Sequence, residues 1–124
     1  MKKKMTRRSG EPVVRPRRRR AHSSQRSVVV EFSITPIGKG ESVGKHVARA
    51  TRIVRASGLP NELHAMGTIV EGTWDEVFDL IRKCHDELAS DCRRISIAIK
   101  VDSRATPTGR LKRKVASVEK ILRT

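Results

Sequence analysis

From Val28 onward the chain falls into segments of changing hydrophobic period. Val28, Val30, Phe32 and Ile34 alternate with Val29, Glu31, Ser33 and Thr35, a period of two that predicts a strand with one buried face, ending near Pro36. After Ile37-Gly38-Lys39-Gly40-Glu41, Ser42 is placed to N-cap a helix. Its apolar residues Val43, Val47, Ala50, Ile53 and Val54 share one face, and Gly58 with Pro60 ends it. Residues 61–66 and 68–71 then read as two short strands joined at Gly67, a connection only a hairpin makes. Thr73 and Glu76 form a T-x-x-E capping box ahead of a helical stripe of Trp74, Val77, Phe78, Ile81, Cys84 or His85, and Leu88. Ile95, Ile97, Ile99 and Val101 alternate with Ser96, Ala98, Lys100 and Asp102, predicting a fourth strand. A turn at Thr106-Pro107-Thr108-Gly109 leads to a last helix carrying Leu111, Val115, Val118 and Leu122.

The order is β-α-β-β-α-β plus a C-terminal helix. That is the split βαβ of a ferredoxin-like α+β domain, in which both internal helices cover one face of an antiparallel sheet. The other face stays open. It should carry Glu31, Ser33 and Thr35 from the first strand and Ser96, Ala98 and Lys100 from the fourth, because alternate residues share a face. Such a surface is either a solvated sheet face or one that another subunit completes, enclosing hydroxyls and a carboxylate around a small polar ligand.

Charge changes the picture only at the N-terminus. The chain of 124 residues has 28 Lys and Arg against 13 Asp and Glu, a formal +15, but residues 1–27 alone carry +10 and residues 28–124 only +5. Segment 1–27 holds Lys2-Lys3-Lys4, Arg7-Arg8 and Arg17-Arg18-Arg19-Arg20, punctuated by Pro12 and Pro16, and has almost no apolar content, so a disordered basic tail is expected. It reads as a solvated extension, a nucleic-acid or membrane-surface arm, or a targeting peptide. One domain, residues 28–124, remains, large enough for a core without disulfide or metal. No apolar run approaches the ~18–20 residues of a membrane span. The two cysteines, Cys84 and Cys92, lack paired spacing and suggest a reducing, cytoplasmic setting.

Candidate chemistry is sparse. Among His22, His46, His64 and His85 no pair shows H-x-x-x-H or H-x-C spacing, so no metal site is expected. Cys84 and His85 are helical neighbours pointing about 100° apart, which rules against a thiolate pair. Ser33 has no evident base, and Gly38-Lys39-Gly40 lacks the rest of a phosphate loop. No catalytic residue and no cofactor follow. The competing class is a basic nucleic-acid-binding module. Sheets that read RNA stack bases on exposed rings, yet this chain has no Tyr, Phe32 belongs to the buried face, and Trp74 and Phe78 are expected on the buried helical stripe. The tail and Arg110, Lys112, Arg113 and Lys114 would leave only weak, salt-sensitive contact.

Two long motifs add a resemblance. Val29-Val30-Glu31-Phe32-Ser33-Ile34-Thr35-Pro36-Ile37-Gly38, followed by Met66-Gly67-Thr68-Ile69-Val70-Glu71-Gly72-Thr73-Trp74-Asp75-Glu76-Val77, resembles the thiamine-binding protein family. The likeness continues through Lys83-Cys84-His85, Ile99-Lys100-Val101-Asp102 and Lys114-Val115-Ala116-Ser117-Val118-Glu119. It implies a cytoplasmic protein that pairs through its sheets into dimers or tetramers. It implies too that thiamine or hydroxymethylpyrimidine is held, without reaction, in a pocket at the sheet and subunit interface. On that resemblance Ser33, Thr35, Met66, Gly67 and Thr68 are expected to line the pocket. Glu31 and Glu71 would add carboxylates suited to an exocyclic amine and a thiazolium cation.

Overall fold

A computed structural model describes residues 26–105 and 109–124. The turn expected at residues 106–108 and the tail up to residue 25 lie outside the described residues. Seven elements follow the expected order: β1 (Ser27–Pro36), α1 (Gly44–Ala56), β2 (Asn61–His64), β3 (Gly67–Gly72), α2 (Trp74–Ala89), β4 (Ile95–Arg104) and α3 (Arg110–Arg123). The strands form one antiparallel sheet in the order β2-β3-β1-β4, the ferredoxin-like arrangement.

Burial follows the alternation. Val28, Val30, Phe32 and Ile34 of β1 are buried with Val70 of β3, under Ala50 and Val54 of α1 and Val77, Leu80, Ile81, Cys84 and Leu88 of α2. The capping box holds α2 in place: Glu76 N–H donates to Thr73 Oγ1 at 3.2 Å, and Thr73 N–H donates back to Glu76 Oε1 at 3.0 Å. Between the helices, Arg49 of α1 donates to Glu87 at 3.0 Å and to both carboxylate oxygens of Asp91 at 3.0 and 3.1 Å.

Five details differ from the sequence reading. Val43, not Ser42, occupies the N-cap of α1, and no side chain caps that helix. The β2–β3 turn is Ala65-Met66, so His64 pairs with Gly67, which already belongs to β3. Trp74, the first residue of α2, is 52% exposed and stacked at 4.6 Å on the partly buried Phe78. Of the apolar stripe on α3 only Leu111 is buried, while Val115, Val118 and Leu122 are exposed. β1 also starts one residue earlier than expected: Ser27, read as the last residue of the tail, opens it fully buried.

Candidate functional site

The site is created where two strands end at different places. β3 accompanies β1 only from Val28↔Gly72 to Phe32↔Thr68, whereas β4 continues to Pro36↔Ile95. In an antiparallel ladder alternate residues aim N–H and C=O at the same neighbour. Ile37 N–H donates to Arg94 O on the β4 side, so the odd-numbered residues of β1 serve β4 and the even-numbered ones serve β3. Beyond Phe32 the β3 side is vacant. Among the described residues no backbone partner takes up the N–H and C=O of Ile34, and Pro36, next on that edge, has no N–H to satisfy.

A cleft of about 230 Å³ opens at this edge. Its floor is β1, its lip the β2–β3 turn, and its far wall the apolar face of α1 with Val43, Val47 and Ala50. Ser33, Thr35, Met66, Gly67 and Thr68 all line it. Gly67 makes the narrow lip possible: a Cβ there would stand 2.7 Å from Phe32 O. Met66 is 80% exposed and overhangs the opening, while Thr68 is buried. The polar complement is thus hydroxyls and main-chain groups set in an apolar wall, the usual make-up of a small-molecule site.

The profile of the family described as "Thiamine-binding protein" matches residues 30–119. This chain belongs to the thiamine-binding protein family. Similar members include a UPF0045 protein of Mycobacterium tuberculosis, 47% identical over 97 residues that span 77% of this chain and 95% of that protein. A UPF0045 protein of Methanocaldococcus jannaschii is 36% identical over 93 residues, 75% of this chain and 93% of that one. The solved structure of a hypothetical protein from the same archaeon superposes with a TM-score of 0.69 at 34% identity, covering 75% of this chain and 96% of that chain. A Thermotoga maritima structure, described as a candidate thiamine biosynthesis/salvage protein, shares the fold with a TM-score of 0.66 at 21% identity over 74% of this chain and 98% of that one.

Two residues that the resemblance pointed to lie elsewhere in this thiamine-binding family fold. Glu31 lines a separate depression of about 280 Å³ on the open sheet face, with Val29, Ile69, Lys100 and Lys114. Glu71 lines neither hollow. It is fully buried and receives the N–H groups of Gly109 at 2.7 Å, Arg110 at 2.8 Å and Leu111 at 3.2 Å, so it caps α3. Its neighbour Arg110 is also buried, donating to Ser27 Oγ and to the carbonyl oxygens of Ser27 and Asp102, and pairing with Asp102 at 3.2 Å.

His64, which spacing arguments set aside, belongs to the cleft. Met66 N–H donates to His64 Nδ1 at 3.2 Å, so in the neutral ring the proton sits on Nε2, 3.3 Å from Glu31 Oε2. His64 thereby links the cleft to the open face. Cys84 does not compete as a nucleophile: burial pushes its thiol up to about 11, and its sulfur points at Ala50 O, 3.6 Å away. No helix among the described residues is long and apolar enough to cross a membrane.

Proposed function

We propose that this protein binds thiamine or its hydroxymethylpyrimidine moiety in the β1–α1 cleft and carries out no reaction on it. Membership of the thiamine-binding family supports a thiamine-related role. The convergence of Ser33, Thr35, Met66, Gly67 and Thr68 on one cleft is the observation that carries the choice of site. An aminopyrimidine offers N–H donors beside ring-nitrogen acceptors. The free edge at Ile34 supplies one main-chain acceptor and one donor at the same rim as the hydroxyls of Ser33 and Thr35. Met66 supplies a polarizable thioether over the ring.

Size favours the single ring. About 230 Å³ is below the ~300 Å³ at which sites for drug-sized ligands begin. The pyrimidine fragment fits such a volume, and the thiazolium of intact thiamine would extend past Met66 toward solvent or a second subunit. The protein acts in the cytoplasm as a dimer or tetramer formed through the open sheet faces, and the second copy supplies that cover. Glu31, on the open face, then lies near the cationic ring in the assembly.

The test is calorimetric titration of the full chain with hydroxymethylpyrimidine, thiamine and the isolated thiazole alcohol, with RNA titrated at two salt concentrations. Saturable binding of the first two, with the thiazole inert, is expected. Binding of RNA alone would replace this reading with the polyanion-binding one.

A further inference from the structure

Away from the cleft, the fold brings together three side chains that sequence spacing kept apart. His46 lies in the first turn of α1, and Asp91 and Cys92 lie in the connection between α2 and β4. One ligand atom from each lies within 4.8 Å of the others. Cys92 is 5% exposed, and its sulfur is 3.7 Å from Asp91 Oδ1. His46 Nδ1 is buried and has no hydrogen-bond partner among the described residues.

An imidazole set beside a thiol and a carboxylate, with one buried nitrogen left unpaired, is costly unless a further group engages it. We infer that His46, Asp91 and Cys92 form a three-residue site for a zinc ion, with water as fourth ligand. The donor set selects the metal: a thiolate and an imidazole disfavour magnesium and calcium, and one nitrogen, one sulfur and one oxygen suit tetrahedral zinc. Ligand atoms around tetrahedral zinc are separated by about 3.3–3.8 Å, as follows from bond lengths near 2.0 and 2.3 Å, so closure requires side-chain shifts of about 1 Å. Charge balances as well. On binding, the Cys92 S–H bond is replaced by S–Zn and its proton passes to solvent. The thiolate and the carboxylates of Asp91 and Glu87 then offset the dication together with the Arg49 guanidinium that both carboxylates accept from.

Arg49 completes the arrangement as a positioning residue. Its two donors to Asp91 hold that carboxylate in place and keep its carboxyl below the usual carboxylate range. The pinned elements matter for the cleft, because Val43 and Val47, flanking His46, form its wall. A metal here would fasten the start of α1 to the end of α2.

The experiment titrates the full, reduced, metal-stripped chain with Co²⁺ at neutral pH and then displaces it with Zn²⁺. One equivalent of cobalt is expected to raise a thiolate-to-metal charge-transfer absorption that zinc abolishes. Cys92→Ser should remove that absorption, while Cys84→Ser leaves it intact. His46→Ala should weaken zinc binding by about tenfold or more, and Arg49→Met by about 10- to 100-fold. Should Cys92→Ser fold poorly, His46→Gln gives an independent answer through a shifted cobalt spectrum and weaker binding. Absence of the absorption, or its survival in Cys92→Ser, or unchanged affinity in both His46 variants, overturns the site.

Discussion

The two halves of β1 are built from the same alternating sequence and end in opposite physical states. From Val28 to Phe32 the strand has partners on both edges, and the residues around it are closed off: Glu71 accepts from three backbone donors, and Arg110 is held by Ser27 and Asp102. From Ser33 to Pro36 one edge loses its partner, and the hollow that results is lined by small hydroxyls and an overhanging methionine. Both halves bury their even-numbered side chains, so the hydrophobic pattern does not distinguish them. What differs is where the neighbouring strand stops. One half is spent on stability and the other is available for recognition.

That contrast is broken most severely at the closed half. Glu71→Ala strands three N–H groups at the start of α3, two of them buried, and should destabilise the protein by roughly 3 kcal/mol, measured by urea unfolding, while leaving affinity at the cleft nearly intact. Glu71→Gln, which keeps an acceptor, should recover part of the loss. A wild-type midpoint in Glu71→Ala would mean that water replaces the carboxylate. Gly67→Ala attacks the boundary between the halves: a methyl 2.7 Å from Phe32 O forces the β3 backbone outward, at a cost of about 1–3 kcal/mol in thermal unfolding. Weakened pyrimidine binding should accompany it, because the lip moves.

At the open half, Ser33→Ala combined with Thr35→Ala should weaken hydroxymethylpyrimidine binding about tenfold, or ~1.4 kcal/mol, with the unfolding midpoint unchanged. Undiminished affinity by calorimetry would remove those hydroxyls from the site. The smallest effect concerns acid. Asp102 accepts a hydrogen bond from Lys114 and lies beside Arg110, which together hold its carboxyl below the ordinary 3.8. A depressed folded value means that the contribution is complete above that ordinary value and fades as pH falls through the folded one. Asp102→Asn should therefore lower the neutral plateau of melting temperature slightly and flatten its acid limb below about pH 4, so that variant and wild type converge in acid.

The architecture was readable because each element carried a local signal: the alternation in β1 and β4, and the Thr73–Glu76 box before α2. Where the reading slipped, the deciding partner was distant or absent. Met66 looked like strand filling and Gly67 like a turn, since nothing local says that Gly67 must pass against Phe32. Ser42 has the chemistry of a cap, yet α1 begins one residue too late to use it. The carboxylate of Glu71 suits a cationic ligand on paper, but its partners lie 38 to 40 residues further on. The zinc trio was hidden for the same reason, as α1 and the end of α2 meet only in the folded chain. By contrast Ser33, Thr35, Met66, Gly67 and Thr68 converge because the two motifs that carry them are joined by the β1–β3 ladder.

Pro36 has a further consequence, for self-association. An exposed strand edge invites a second chain to add to it, and long edges are a recurrent source of aggregation. Here the uncovered stretch is one residue's worth of donor and acceptor, stopped by Gly67 on one side and by a residue with no N–H on the other. A metabolite-sized molecule can reach Ile34, but an incoming strand would find one rung and then a gap. The same feature that exposes main chain to a small ligand keeps it from becoming a template for another protein.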